Sequence, residues 1–184
     1  MASRTINISV MSPSRIDAGV AKLEQIKIDL KKQCAEFCDE MAAAGVSVAR
    51  MNVVTPTHDF SNCIYFGREF GQVSKYGCQA IMYGKNVYNL VSADGQKTIS
   101  PILMAEFGTG INYGVPLKNV DGLTVGAGSY PGQRYALDPN GWYYKDGEGK
   151  WHHTMGAAPS YPMQKAYDEM VTIEKTIAKR VFHL

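Results

Sequence analysis

The chain has 184 residues, 45% of them hydrophobic and 20% charged, the balance of an ordinary globular protein long enough to bury a core of its own. Its formal net charge of +2 is too small to be the electrostatic footprint of a nucleic-acid or membrane-surface binder. No apolar run approaches the ~18 residues of a membrane span, and polar residues interrupt what would be the apolar part of a signal peptide after Arg4. The expected setting is therefore a cytoplasm.

Residues 5–10 alternate apolar and polar, so Ile6, Ile8 and Val10 would share one face of a short strand. That strand would be a sheet edge or an arm laid onto a neighbouring subunit. Ser12-Pro13-Ser14 then opens a helix, with Ser14 and Asp17 at the spacing of a capping box. Apolar residues follow at Ile16, Val20, Leu23, Leu30, Cys34, Phe37, Met41, Ala44 and Val48, in alternating steps of four and three, with Lys27 the one missing member. Such a seam predicts a long helix lying along another helix or a sheet, and a seam this long outruns what one small sheet covers. Gly45 disfavours helix by about 1 kcal/mol relative to Ala, which predicts an end near Ala44 within a helical stretch placed at 12–50.

Residues 51–71 are mixed, with a loop at 55–59. A hairpin is predicted at 73–91: Tyr76, Cys78, Ala80 and Met82 alternate with Gly77, Gln79, Ile81 and Tyr83, Gly84-Lys85 turns the chain, and 87–91 return. Ala93-Asp94-Gly95-Gln96 is a further turn signal before a short strand at 97–100. Pro101 permits a short helix ending at Phe107, where Gly108 stops it.

Eleven of the eighteen glycines fall within 108–156. So long an irregular stretch is usually functional or disordered. Its aromatics (Tyr113, Tyr130, Tyr135, Trp142, Tyr143, Tyr144 and Trp151) argue for burial against protein, within the subunit or against another. A hairpin is predicted inside it, 142–144 against 150–152 around Asp146-Gly147. A last helix starts at Pro162, with Met163, Ala166, Tyr167, Met170, Ile173, Ile177 and Val181 as its apolar face and basic residues at its end. The expected fold is α+β: long N-terminal and C-terminal helices packed on a small antiparallel sheet, with a long Gly/aromatic-rich loop. The expected organisation is one domain, divided into an arm at 1–11, the helix at 12–50, the sheet at 72–100, the insertion at 108–158 and the helix at 160–183.

Candidate chemistry is sparse. His152 and His153 are adjacent, so on a strand they point to opposite faces and do not share a metal. Cys34 and Cys38 lie one helical turn apart, Cys63 and Cys78 stand alone, and the spacing is wrong for zinc, so the thiols read as buried and reduced. Neither Cys63 nor Cys78 has a nucleophile context. Glu106 is a lone carboxylate with no matched partner for glycoside hydrolysis. It is expected to accept hydrogen bonds from backbone amides of the Gly108-Thr109-Gly110 turn or to pair with a basic residue. That turn lacks the third glycine of a dinucleotide fingerprint, since Tyr113 stands in its place. No cofactor and no metal is expected.

Taken in order, Leu103-Met104-Ala105-Glu106-Phe107-Gly108-Thr109-Gly110, the unit containing Trp142, Tyr143 and Trp151, and Ala158-Pro159-Ser160-Tyr161-Pro162-Met163 carry a resemblance. The series resembles the phage neck and tail-completion proteins of the lambdoid "gene product ten" family. There a "vEFGTG" signature precedes a variable Gly/Trp-rich insertion and a "P-x-x-P-M/F" lead into a C-terminal helix. The resemblance spans roughly residues 15–180. It implies a non-enzymatic virion protein that joins head to tail or caps the tail tube as a ring, usually a hexamer. Its partners would be itself, a head-closure or stopper ring and the tube protein. There would be no membrane and no specific nucleic-acid binding, though DNA would pass through the ring. Subunit contacts would come from Tyr113, Tyr130, Tyr135, Tyr144, Ile6 and Ile8. The segment Gly141 to Trp151 also looks like one unit of a choline- or wall-binding repeat, but such modules stack several copies and only one is present.

Overall fold

The computed structural model describes residues 13–54, 59–71, 73–74, 77–88, 90–91, 98–110, 138–145 and 148–183. The arm at 1–11, the loop at 55–58 and residues 111–137, with Ile6, Ile8, Tyr113, Tyr130 and Tyr135, lie outside them.

The seam of alternating fours and threes forms one helix, α1 (Pro13–Met51), with proline at its first position, where a missing N–H costs nothing. At 1.5 Å per residue its 39 residues run about 58 Å. The predicted end near Ala44 is wrong. The helix continues through Gly45 because a Cβ there would meet the sulfurs of Met82 and Met170 at 2.7 and 2.8 Å, so the glycine serves close packing.

The main sheet corrects the sequence reading twice. Strand β1 (Ile64–Phe70), which falls in the stretch read as mixed, pairs antiparallel with β2 (Ala80–Asn86). The predicted turn at Gly84-Lys85 is instead the middle of β2, with Gly84 opposite Phe66. A Cβ on Gly84 would lie 2.3 Å from Ile102 Cδ1 and 2.9 Å from the Phe66 ring. This glycine therefore admits two large side chains rather than reversing the chain. The residues expected to return along β2 form β3 (Leu90–Val91), which pairs with the predicted short strand, β4 (Thr98–Ile99).

Next comes α2 (Pro101–Phe107), stopped at Gly108 as predicted. The predicted hairpin is β5 (Trp142–Lys145) against β6 (Trp151–Thr154). The chain closes with α3 (Pro162–Phe182). The architecture is α+β, with the long helices packed on a small antiparallel sheet. A two-stranded ladder is marginal alone, and here α1 covers its inner face.

The core lies where the second half of α1 meets β1, β2, α2 and α3: Val46, Ala49, Val53, Phe60, Ile64 and Phe66, with Ala105, Ala157 and Ala166. Helix α3 runs antiparallel to α1. Lys165 Nζ donates to Asn52 Oδ1 at 2.9 Å near one end. At the other, Phe37 and Phe182 rings lie 5.8 Å apart and Gln33 Nε2 donates to the Val181 carbonyl at 3.1 Å. Arg180 pairs with Glu40 between them. Tyr167, expected on the buried face of α3, is 51% exposed.

Because α3 ends beside Gln33, the first half of α1 extends about 30 Å past it. Ile16, Val20, Leu23 and Leu30 there are each 42–50% exposed. Among the described residues no helix is long and apolar enough to cross a membrane.

Candidate functional site

The three sequence segments that carry the resemblance meet at one place, the junction of α2, the β5–β6 hairpin and α3. Asn86, the last residue of β2, fixes the start of α2. Its Oδ1 accepts the Ile102 N–H at 3.0 Å and its Nδ2 donates to Ser100 Oγ at 2.9 Å. One turn on, the Ala105 carbonyl accepts from Ser160 N–H at 2.8 Å, Tyr161 N–H at 3.2 Å and Ser160 Oγ at 3.2 Å. This ties the lead into α3 across the back of α2.

Glu106 completes that tie. Pro162 opens α3 and has no N–H, and Tyr161 sits at the cap position in the left-handed region (φ 53°) without a capping side-chain bond. The first amides needing acceptors are therefore those of Met163 and Gln164. Glu106 supplies both: Oε2 accepts from Met163 at 2.8 Å and Oε1 from Gln164 at 3.0 Å. A carboxylate fifty-seven residues earlier in the chain thus caps the helix, where the helix dipole also favours negative charge. Burial raises the Glu106 carboxyl above its usual value, and the two amides and Lys165 offset that only in part. The type of partner foreseen from sequence, backbone amides, is right. Their location is not: they belong to α3 and not to the Gly-Thr-Gly turn.

That turn has its own partner. Thr109 is 1% exposed. Its N–H donates to the Ala157 carbonyl at 2.8 Å, and its Oγ1 accepts the Ala157 N–H at 2.7 Å. The approach is so close that a Cβ on Gly156, at φ +99°, would stand 2.1 Å from the Thr109 carbonyl oxygen. A Cβ on Gly110 would stand 2.4 Å from the Trp142 ring. Only glycine fits either position.

Of the predicted residues, Glu106, Phe107, Gly108, Thr109, Gly110, Trp142, Pro159, Pro162 and Met163 lie in or beside this joint, with Phe107 and Pro162 buried. Tyr143 and Trp151 do not join it. They stand on the outer face of the hairpin, 66% and 57% exposed. The Tyr143 and His153 rings lie 4.8 Å apart, tilted by 55°, and His153 Nε2 lies 2.7 Å from the Asn140 carbonyl oxygen. Tyr144 pairs in register with His152. Sequence reasoning missed Asn86 and gave Ala105 and Ser160 no role beyond their place in the segments that carry the resemblance.

Cys78, read as standing alone, lies against α1. Its Sγ donates to the Lys31 carbonyl at 3.8 Å, and Cys38 Sγ donates to the Cys78 carbonyl at 3.5 Å. Burial, and then the Cys78 thiol, push Cys34 and Cys38 up, which disfavours the thiolate. Cys63 Sγ lies 3.0 Å from the Tyr88 hydroxyl. Among the described residues no three His, Cys, Asp or Glu side chains are arranged to hold a metal ion.

Chemically the joint is closed. Both Glu106 oxygens are engaged, and the Thr109 hydroxyl oxygen already accepts a backbone N–H. Comparison of the chain with protein-family models, with curated proteins and with solved structures returns no match.

Proposed function

We propose that this chain is a structural subunit of a long-tailed bacteriophage virion, acting in the neck as a ring-forming protein, a hexamer in the simplest case. It joins head to tail or completes and terminates the tail, and it carries out no reaction. It is put together in the host cytoplasm and works in the virion, against a head-closure or stopper ring and the tail tube protein. One observation carries this reading. Most of the residues that resemble the neck family are used in an internal joint, while large apolar side chains, Tyr143 and Trp151 among them, stand outside on the first half of α1 and on the β5–β6 hairpin. A subunit made for assembly has that distribution: rigid joints within and uncovered apolar surface at its edges.

A second reading is favoured by the exposed pair Tyr143 and Trp151, whose strand positions place them on one face of the hairpin. Flat exposed aromatics suit a sugar ring or a choline ammonium. That reading is a single-module binder of cell-wall carbohydrate or choline, with Trp142 packed behind the face. Light scattering on the purified chain with negative-stain imaging separates the two. Closed rings, alone or on adding a neck partner, are the expected result. A monomer that binds peptidoglycan or a choline resin overturns the neck assignment.

A further inference from the structure

The seam of α1 does not stop where α3 does. In its second half the seam faces α3, and at Phe37, Cys38 and Met41 it becomes the floor of an open groove of about 340 Å³ walled by Met82 of β2 and Met170 of α3. N-terminal to the groove on the same helix, Leu30, Leu23, Val20 and Ile16 continue the same steps of four and three in its first half. In that half Cys78 reaches Lys31 and Gly19 is buried, yet the seam itself stays 42–50% exposed at these four residues. We propose that it is covered by the same half of α1 from a second copy of this chain, running antiparallel.

The charges flanking the seam choose both the occupant and the direction. In a parallel in-register pair, Lys27 sits in the seam and would stack on its own copy, two like charges inside an apolar contact. In an antiparallel pair centred near Gln25, Lys27 faces Leu23 of the second copy, Val20 faces Leu30, and Ile16 faces Cys34. Asp17 then lies opposite Lys31 at both ends by symmetry, giving two opposite-charge contacts, while between them in the same flanking row Glu24 lies opposite its own copy at the exposed rim, with Lys27 of the second copy beside it. All four of these charged residues are exposed within the subunit. The half-buried Ile26 meets its own copy at the centre. The first turn of each helix points into the mouth of the other subunit's groove. This contact is isologous, whereas contacts that close a ring are heterologous, so it stands independently of the ring. On a ring-forming subunit it would join two rings face to face.

Sedimentation and light scattering of the full chain, taken up to millimolar concentration, test the pairing. Wild type is expected as a dimer, or as a pair of rings, and Leu23→Glu is expected to halve that mass. Leu23 is exposed and Glu is a good helix former, so circular dichroism should be unchanged. Asp17→Lys alone and Lys31→Asp alone should each weaken pairing by roughly three- to tenfold, since each turns two opposite-charge contacts into like-charge ones. The double variant, Asp17→Lys with Lys31→Asp, should restore it. A monomer at every concentration, a mass indifferent to Leu23→Glu, or a double variant no better than either single one overturns the antiparallel pair. Rings that persist in Leu23→Glu at unchanged mass leave the neck reading standing without it.

Discussion

The two halves of α1 carry one sequence pattern and meet opposite fates. From Gln33 onward the helix is gripped between the β1–β2 sheet and α3, with Ala42, Val46 and Ala49 at most 8% exposed. Before Gln33 the same periodicity presents Ile16, Val20, Leu23 and Leu30 to solvent. Periodicity thus reports that a face is made to be covered without saying by what. The subunit's own described elements cover one half, and the other is the face that the proposed pairing would cover.

Large-to-small substitution should separate the halves most. Phe66→Ala, in the core that grips the second half, is expected to lower stability by about 3–5 kcal/mol in urea unfolding. Leu23→Ala, at low protein concentration, should change it by no more than about 0.5 kcal/mol. A large loss at Leu23 in the monomer would erase the distinction.

Gly156→Ala tests whether the joint that anchors α3 is as tight as its distances indicate. The left-handed conformation alone should cost about 1–3 kcal/mol, and the Thr109 carbonyl stands in the way besides. Urea unfolding near wild type would mean that the joint can open. Glu106→Ala should cost about 1–2 kcal/mol through loss of the α3 cap, seen as faster amide exchange at Met163 and Gln164.

The same carboxyl gives a pH signature. Its folded value is raised above 4.5, so the folded protein binds that proton more tightly than the unfolded chain does. Its contribution to stability is complete below about 4.5 and is lost as pH rises through the raised value. Glu106→Gln does not titrate, so wild type should lead it by more near pH 4 than near pH 7 in urea midpoints. The reverse order would mean that the two amides outweigh burial. The smallest effect belongs to the exposed Arg68–Asp39 pair that ties β1 to the gripped half of α1. Its N–O distance is 3.0 Å, and Arg68→Ala should cost under about 1 kcal/mol and less in high salt.

The elements legible in the sequence are those with local signals. Proline at the first position marked α1, α2 and α3, Gly108 marked the end of α2, and Asp146-Gly147 between aromatic runs marked the β5–β6 hairpin. What could not be read depends on partners far along the chain. Nothing near Gly84 announces that Phe66 and Ile102 need its missing Cβ, so it passed for a turn. Strand β1 was lost because its buried positions, Ile64, Phe66 and Gly67, stop halfway and its second half from Arg68 is exposed, so no apolar alternation runs its length; Arg68 reaches Asp39 on α1. At the candidate site, Glu106 announced a need for donors but not that α3 would supply them. Cys78 gave no hint of its place against Cys34 and Cys38.

Removing the gene from a phage or prophage that carries it, then examining the particles by electron microscopy, tests the central claim most directly. Filled heads and separate tails should accumulate, and the chain supplied in trans should restore joined virions. Complete, infectious virions formed without the chain would contradict the account.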